Sequence, residues 1–129
     1  MIYLDTSVFL AQLLAEDRRP PASLWSEPLV ASRLVEYEVW NRLNDRALAA
    51  THGDLAWQML ARISMVELSP LVLARTLEPF PVSVRTLDAL HLASIEFLRS
   101  RRLKVGLATY DRRMAGAAEA MQIALVPMP

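Results

Sequence analysis

The strongest constraint in this chain is an alternation. Ile2-Tyr3-Leu4 is a short apolar run that stops at Asp5 and gives way at once to helical spacing, with Val8, Leu10, Leu13 and Leu14 on one side. The pattern returns along the chain. Leu29–Ala31 reads as a second strand, followed by a long helix that Ser32 caps and that runs through Leu48 to a stop near His52-Gly53. Asp54 is placed to cap another helix through Ile63, Met65–Leu68 reads as a strand, and Leu71–Leu77 as a helix. Thr86 is placed to cap a helix over Leu87–Arg99. Val105–Thr109 is a strand, Asp111–Ala120 a helix and Ile123–Val126 a last strand. At the first helix, Thr6 or Ser7 is the expected cap, and Arg18-Arg19-Pro20-Pro21 closes it. Strands alternating with helices predict an α/β fold around a mostly parallel sheet of four to five strands.

Composition narrows the function classes. A length of 129 residues predicts a single domain spanning 1–129. Fourteen Lys plus Arg balance fourteen Asp plus Glu, so no global basic field draws the chain onto nucleic acid. The absence of cysteine excludes disulfides, thiolate chemistry and Cys-ligated metal. Three glycines (Gly53, Gly106, Gly116) cannot build a phosphate-cradling loop. No apolar run approaches the ~18–20 residues of a membrane span, and MIYLDTSVFL lacks the basic start of a signal peptide, so the cytoplasm is the expected location. Hydrophobic residues make up 53% of the chain, enough to supply both a core and a partner surface.

Four carboxylates stand apart from the solvated majority. Asp5 ends the first strand, and Asp111 follows the Val105–Thr109 strand. Ligands of open parallel sheets bind beyond the carboxyl ends of strands, so two Asp there would face one crevice. Asp88 lies in the first turn of the apolar helix TLDALHLA, and Glu38 within SRLVEYEVW. Each has a plain alternative. Asp5, Asp88 and Asp111 could cap helices or favour a helix dipole, and Glu38 could pair with Arg42 one turn on. Gathered together, four acids would repel one another, and a hard divalent cation would relieve that. Such an ion activates water and steadies charge on a phosphodiester. Glu36 competes with Glu38: about 200° apart on the helix wheel, they cannot both face one site. The wheel puts Glu36 beside Val39, Trp40 and Leu43, whereas the spacing from Ser32 favours Glu38.

In order along the chain, MIYLDTSVFL, ASRLVEYEVWNRL, RTLDALHLAS and LATYDRRM resemble the four acidic motifs of the PIN-domain endoribonucleases, and in particular the VapC-type toxins of bacterial toxin–antitoxin pairs. The resemblance covers essentially the whole chain. It implies a PIN-like three-layer α/β/α sandwich and metal-assisted cleavage of RNA with Mg2+ or Mn2+. It implies Asp5, Glu38, Asp88 and Asp111 as catalytic, metal-holding carboxylates. Thr109, Thr6 and Ser7 would hydrogen-bond those carboxylates or a phosphate. Arg112 and Arg113, flanking Asp111, would reach phosphates at the rim. His91 invites the role of general base, but in this motif a structural hydrogen bond is expected of it. His52 is given no role, and Arg99, Arg101, Arg102 and Lys104 read as a solvated helix end. The resemblance further implies a VapB-type antitoxin and a homodimer, with Trp25, Trp40, Trp57, Leu43 and Met59 as candidate groove residues. Two other readings remain: a PIN nuclease of RNA processing, and an enzyme using Asp5 as nucleophile in phosphotransfer or dehalogenation. In the second, Ser7 stands where a second Asp is usual.

Overall fold

The fold is described by a computed structural model covering residues 1–129. Five parallel strands form one sheet in the order β3-β2-β1-β4-β5: β1 Ile2–Leu4, β2 Leu29–Ser32, β3 Ser64–Val66, β4 Gly106–Ala108 and β5 Ala124–Leu125. The helices are α1 Thr6–Leu13, α2 Leu34–Asp45, α3 Ala49–Leu60, α4 Pro70–Arg75, α5 Thr86–Ser100 and α6 Arg112–Ala120, with a 3-10 turn at Ala22–Ser26. None is long and apolar enough to cross a membrane.

Strand alternation separates two cores. Tyr3, Val30 and Leu107 point to one face of the sheet, where residues of α4, α5 and α6 such as Val72, Leu92, Ile95 and Met114 cover them. Leu4, Ala31 and Ala108 point to the other, where Val8, Phe9, Val35, Val39, Leu43, Ala56 and Leu60 of α1, α2 and α3 pack. Connections leaving β1 toward β3 put their helices on one face, and those running through β4 to β5 put theirs on the other, as right-handed crossovers require. The strand order reverses beside β1, between β1 and β4. That is where a crevice opens at the carboxyl ends of a doubly wound sheet.

Several element boundaries differ from those the sequence suggests. The break expected near His52-Gly53 comes earlier: α2 ends at Asp45 in a turn where Ala47 adopts φ 55°, and α3 starts at Ala49. The Leu48 amide closes that turn onto the Leu43 carbonyl at 2.7 Å. The same left-handed closure ends α1 at Ala15, α5 at Arg102 and α6 at Gln122, so no helix here stops at a glycine. Gly53 and Asp54 consequently lie inside α3, and Asp54 caps nothing. Gly53 serves packing instead, since a Cβ there would meet the Trp40 ring at 2.8 Å. Thr6 and Thr86 are the first residues of their helices rather than caps, and the capping positions fall to Asp5 and Arg85, whose side chains make no cap bond. Ser32 does accept from the Leu34 amide at 3.1 Å, and Ser69 from Val72 at 3.3 Å ahead of Pro70.

Candidate active site

Strand register builds the first part of the site. Leu4 pairs with Ala108, and the Asp5 amide donates to the Ala108 carbonyl at 3.0 Å, so Asp5 and Thr109 emerge side by side. Thr109 Oγ1 donates to Asp5 Oδ2 at 2.8 Å, and Ser7 Oγ donates to the same oxygen at 2.6 Å. Each hydroxyl is itself fed by a backbone amide: Asp111 N–H donates to Thr109 Oγ1 at 2.9 Å, and Tyr110 N–H to Ser7 Oγ at 3.0 Å. Asp5 is 6% exposed. An ionised carboxylate so buried needs such donors. The hydroxyls pass backbone dipoles on to it.

The second part lies where α2, from one face of the sheet, meets α5, from the other, beyond the strand ends. Glu38 Oε1 accepts from Thr6 Oγ1 at 2.8 Å and lies 2.6 Å from His91 Nε2. His91 is 1% exposed, and its Nδ1 sits 2.7 Å from the Tyr3 hydroxyl, which accepts from the Ser32 amide at 3.1 Å. Burial pushes the Tyr3 phenol well above its ordinary pKa, so it keeps its proton and can donate it to Nδ1. Nε2 then carries the imidazole hydrogen and donates to Glu38. Burial opposes a charge on His91. The hydrogen bond and charge of Glu38, with Asp5 and Asp88, outweigh it and raise its pKa. Nε2 donates to Glu38 in both charge states. His91 is thus a structural partner, as expected, and Tyr3 is a participant that sequence reasoning missed.

Asp88 and Asp111 complete the set. Asp88 stands in the first turn of α5 and accepts no hydrogen bond from the protein. Its pKa is raised by partial burial first, then by the charges of Asp111 and Asp5, against smaller opposing effects of His91 and Arg85. Asp111 caps α6: Oδ1 accepts from the Arg113 and Met114 amides at 2.8 and 3.2 Å, which leaves Oδ2 to the solvent side. The capping alternative is therefore real for Asp111, and Asp5 makes no such bond. Glu36 faces away, bonded to Arg33 at 2.7 Å. The wheel misleads because α2 has two inward sides: Val39 and Leu43 meet the core, whereas Glu38 meets Thr6 of α1 and His91 of α5.

Asp5, Glu38, Asp88 and Asp111 line one cleft of about 540 Å3. Arg18 and Arg42 border it, and Glu38 bonds Thr6 and His91 rather than pairing with Arg42. Arg113 lines an adjoining depression with Asp88 and Asp111, and Arg112 lines another that meets the cleft at Arg18, Tyr110 and Asp111. Among the candidate groove residues, Leu43 is fully buried and so cannot line a groove. Trp25, Trp40 and Met59 pack half-buried on the same core, and Trp57 alone is exposed, its ring tilted 39° against Trp40 at 5.3 Å between ring centres. As to metal, no three Asp, Glu or His side chains close into a ready-made cage. The donor chemistry nonetheless suits a hard divalent cation: the groups are carboxylate oxygens, and Asp88 already feels the charge of two neighbours.

A carboxylate cleft at the switch point of a short parallel sheet is the architecture of a PIN domain. The PIN domain family matches residues 2–120, and the chain belongs to it. Among curated relatives it is similar to ribonuclease VapC35 of Mycobacterium tuberculosis, 30% identical over 132 aligned positions covering 98% of this chain and 96% of that protein. Ribonuclease VapC46 of the same organism is 30% identical over 131 positions, covering 97% and 95%. Two solved structures share the fold across the full length of both chains. They are the Mycobacterium tuberculosis toxin VapC20, described as cleaving the sarcin-ricin loop (TM-score 0.68, 18% identity), and VapBC2 of Rickettsia felis bound to a promoter DNA fragment (TM-score 0.64, 14% identity).

Proposed function

We propose that this chain, acting as one domain over 1–129, is a metal-assisted endoribonuclease of the VapC type, the toxin of a toxin–antitoxin pair in the cytoplasm. The observation that carries this reading is the convergence of Asp5, Glu38, Asp88 and Asp111 on one cleft at the sheet's switch point. Membership of the family and the two ribonuclease relatives support it. Mg2+ or Mn2+ bound there would lower the pKa of a water and offset charge building on the phosphodiester. Asp5, Glu38, Asp88 and the free oxygen of Asp111 would hold it. Ser7 and Thr109 fix Asp5, while Thr6 and His91 fix Glu38. Fixed donors matter because a ligand held in place costs less to reorganise when the ion and the substrate arrive.

A VapB-type antitoxin and a second copy of the chain are the proposed protein partners. Leu71, Leu73, Leu77 and Val82 remain exposed along α4 and the loop after it, and they supply apolar surface that a partner would cover.

The test is direct. The full chain, freed of any partner, is incubated with total RNA and Mg2+ or Mn2+. Cleavage is expected, and it should vanish in EDTA and in folded Asp5→Asn and Asp88→Asn proteins. Cleavage that survives EDTA or either substitution overturns the metal-assisted mechanism. Growth arrest on expression, relieved by the product of a neighbouring reading frame, is the result expected of a toxin.

A further inference from the structure

The cleft does not end at the carboxylates. It continues into a second depression of about 550 Å3, and the two share Glu38, Leu87, Asp88 and Asp111. A chain lying along this path passes over the acids. On one side it meets Arg85 and Arg113. On the other it meets Tyr37 and Asn41. These two are four residues apart on α2 and so stand on one helix face, next to Glu38. The Tyr37 ring is 62% exposed, although the same helix fully buries Val35 and Val39. It contributes little to the core, and an isolated exposed hydrophobic is unremarkable. What distinguishes Tyr37 is its place on the wall of the carboxylate cleft, one turn from an exposed amide side chain.

Resting on the nuclease reading above, we propose that Tyr37 and Asn41 form a nucleobase subsite. An unpaired base beside the scissile phosphate stacks on the Tyr37 ring and is hydrogen-bonded at its edge by the Asn41 amide. Arg85 and Arg113 hold phosphates on the far side of the acids. Sequence recognition in RNA depends on splayed bases stacked on aromatic rings and read at their edges. The Asn41 amide offers both a donor and an acceptor for that purpose. A polar strand fits this cleft better than the apolar stripe of a partner helix, because only four of its fifteen lining residues are hydrophobic.

The test uses the full chain and a labelled single-stranded RNA of about a dozen mixed nucleotides, comparable to the site size of a stacking platform. Affinity is measured in EDTA, and KM with Mn2+. Tyr37→Ala is expected to bind roughly ten-fold more weakly and raise KM with kcat held. Tyr37→Phe keeps the ring and should keep the affinity. Moving a single abasic nucleotide along the probe should find one position that weakens the wild type but leaves Tyr37→Ala unaffected, because the two changes remove the same contact. If the wild type cuts RNA and Tyr37→Ala matches it in affinity and KM, the subsite is overturned alone. Resistance of that variant to the antitoxin would then assign Tyr37 to a protein interface. A wild type that neither binds nor cuts any RNA removes the nuclease reading and the subsite together.

Discussion

Asp5 and Glu38 are both carboxylates held in place beside one cleft, yet they are held in opposite ways. Asp5 is held by the sheet: two hydroxyls, each fed by a backbone amide, close on one oxygen, and their positions follow from the pairing of β1 with β4. Glu38 is held across the layers, by the Thr6 hydroxyl at the start of α1 and by an imidazole from the opposite helical layer that is itself set by a core tyrosine. The first arrangement is neutral and rigid, depending only on sheet register. The second carries a group that can take charge, and it ties the site to the packing of α5 against the sheet. Damage to the core should therefore reach Glu38 before it reaches Asp5.

The largest effect expected is that of Asp5→Asn. The substitution keeps the shape and the two hydroxyl donors but removes the charge that would face the cation. Charge stabilisation by a bound ion is worth several kcal/mol, so cleavage should fall on the order of a thousand-fold, read as initial rate on a defined RNA. Glu38→Gln run alongside would show whether the two carboxylates carry equal weight.

Next in size is the cradle around Asp5. Thr109→Val removes one donor to Asp5 and also deprives the Asp111 amide of its acceptor. Loss of an orienting hydrogen bond typically costs about ten- to a hundred-fold in metal affinity or activity. Titration with Mn2+ should show that weakening, and Thr109→Ser should recover most of it. A Thr109→Val protein with unchanged Mn2+ affinity would mean that register alone positions Asp5.

The arrangement across the layers is probed by Tyr3→Phe. Only a hydroxyl is lost, but it leaves the Ser32 amide without an acceptor and His91 Nδ1 without a donor, both buried. Unsatisfied buried groups cost about 1–3 kcal/mol, so the melting temperature should drop on the order of 5 °C. Activity should fall only a few-fold, since Thr6 still donates to Glu38. A melting temperature that does not move would show that the Tyr3–His91 bond contributes nothing to holding α5.

The same contrast explains what the sequence disclosed. The alternation of strands and helices, and the acids at strand ends, are legible because they follow from local pattern and from the geometry of parallel sheets. Ser7 lies two residues from Asp5, so its place beside it is legible too, whereas Thr109 reaches Asp5 across 104 residues and is marked by the resemblance of LATYDRRM rather than by local pattern. The Tyr3–His91 and His91–Glu38 bonds join residues 88 and 53 apart in sequence, and no local pattern announces them. The division of α2 from α3 falls several residues earlier than the sequence suggests, for a different reason. The chain turns at Ala47 in a conformation glycine usually supplies, while the nearby Gly53 sits inside α3 to admit a tryptophan ring.

Asp88 is the carboxylate that neither arrangement holds, and it yields the smallest and most diagnostic effect. Partial burial, then Asp111 and Asp5, disfavour its charged form, which raises its pKa. The sign follows from linkage. A group that binds its proton more tightly when folded favours folding at low pH and loses that contribution as pH rises through the raised value. In EDTA at neutral pH, wild type therefore carries a penalty that Asp88→Asn lacks. Asp88 is partly solvated and gains from its place in the first turn of α5, so the penalty is small. The variant should melt roughly a degree or two higher, with the difference closing below the ordinary Asp range. Adding Mn2+ should invert the order, because only wild type offers the ion its full set of ligands, and binding to the folded state alone raises stability. If Asp88→Asn melts lower than wild type in EDTA, the acids are already reconciled without a cation, and charge relief is not what draws metal to this cleft.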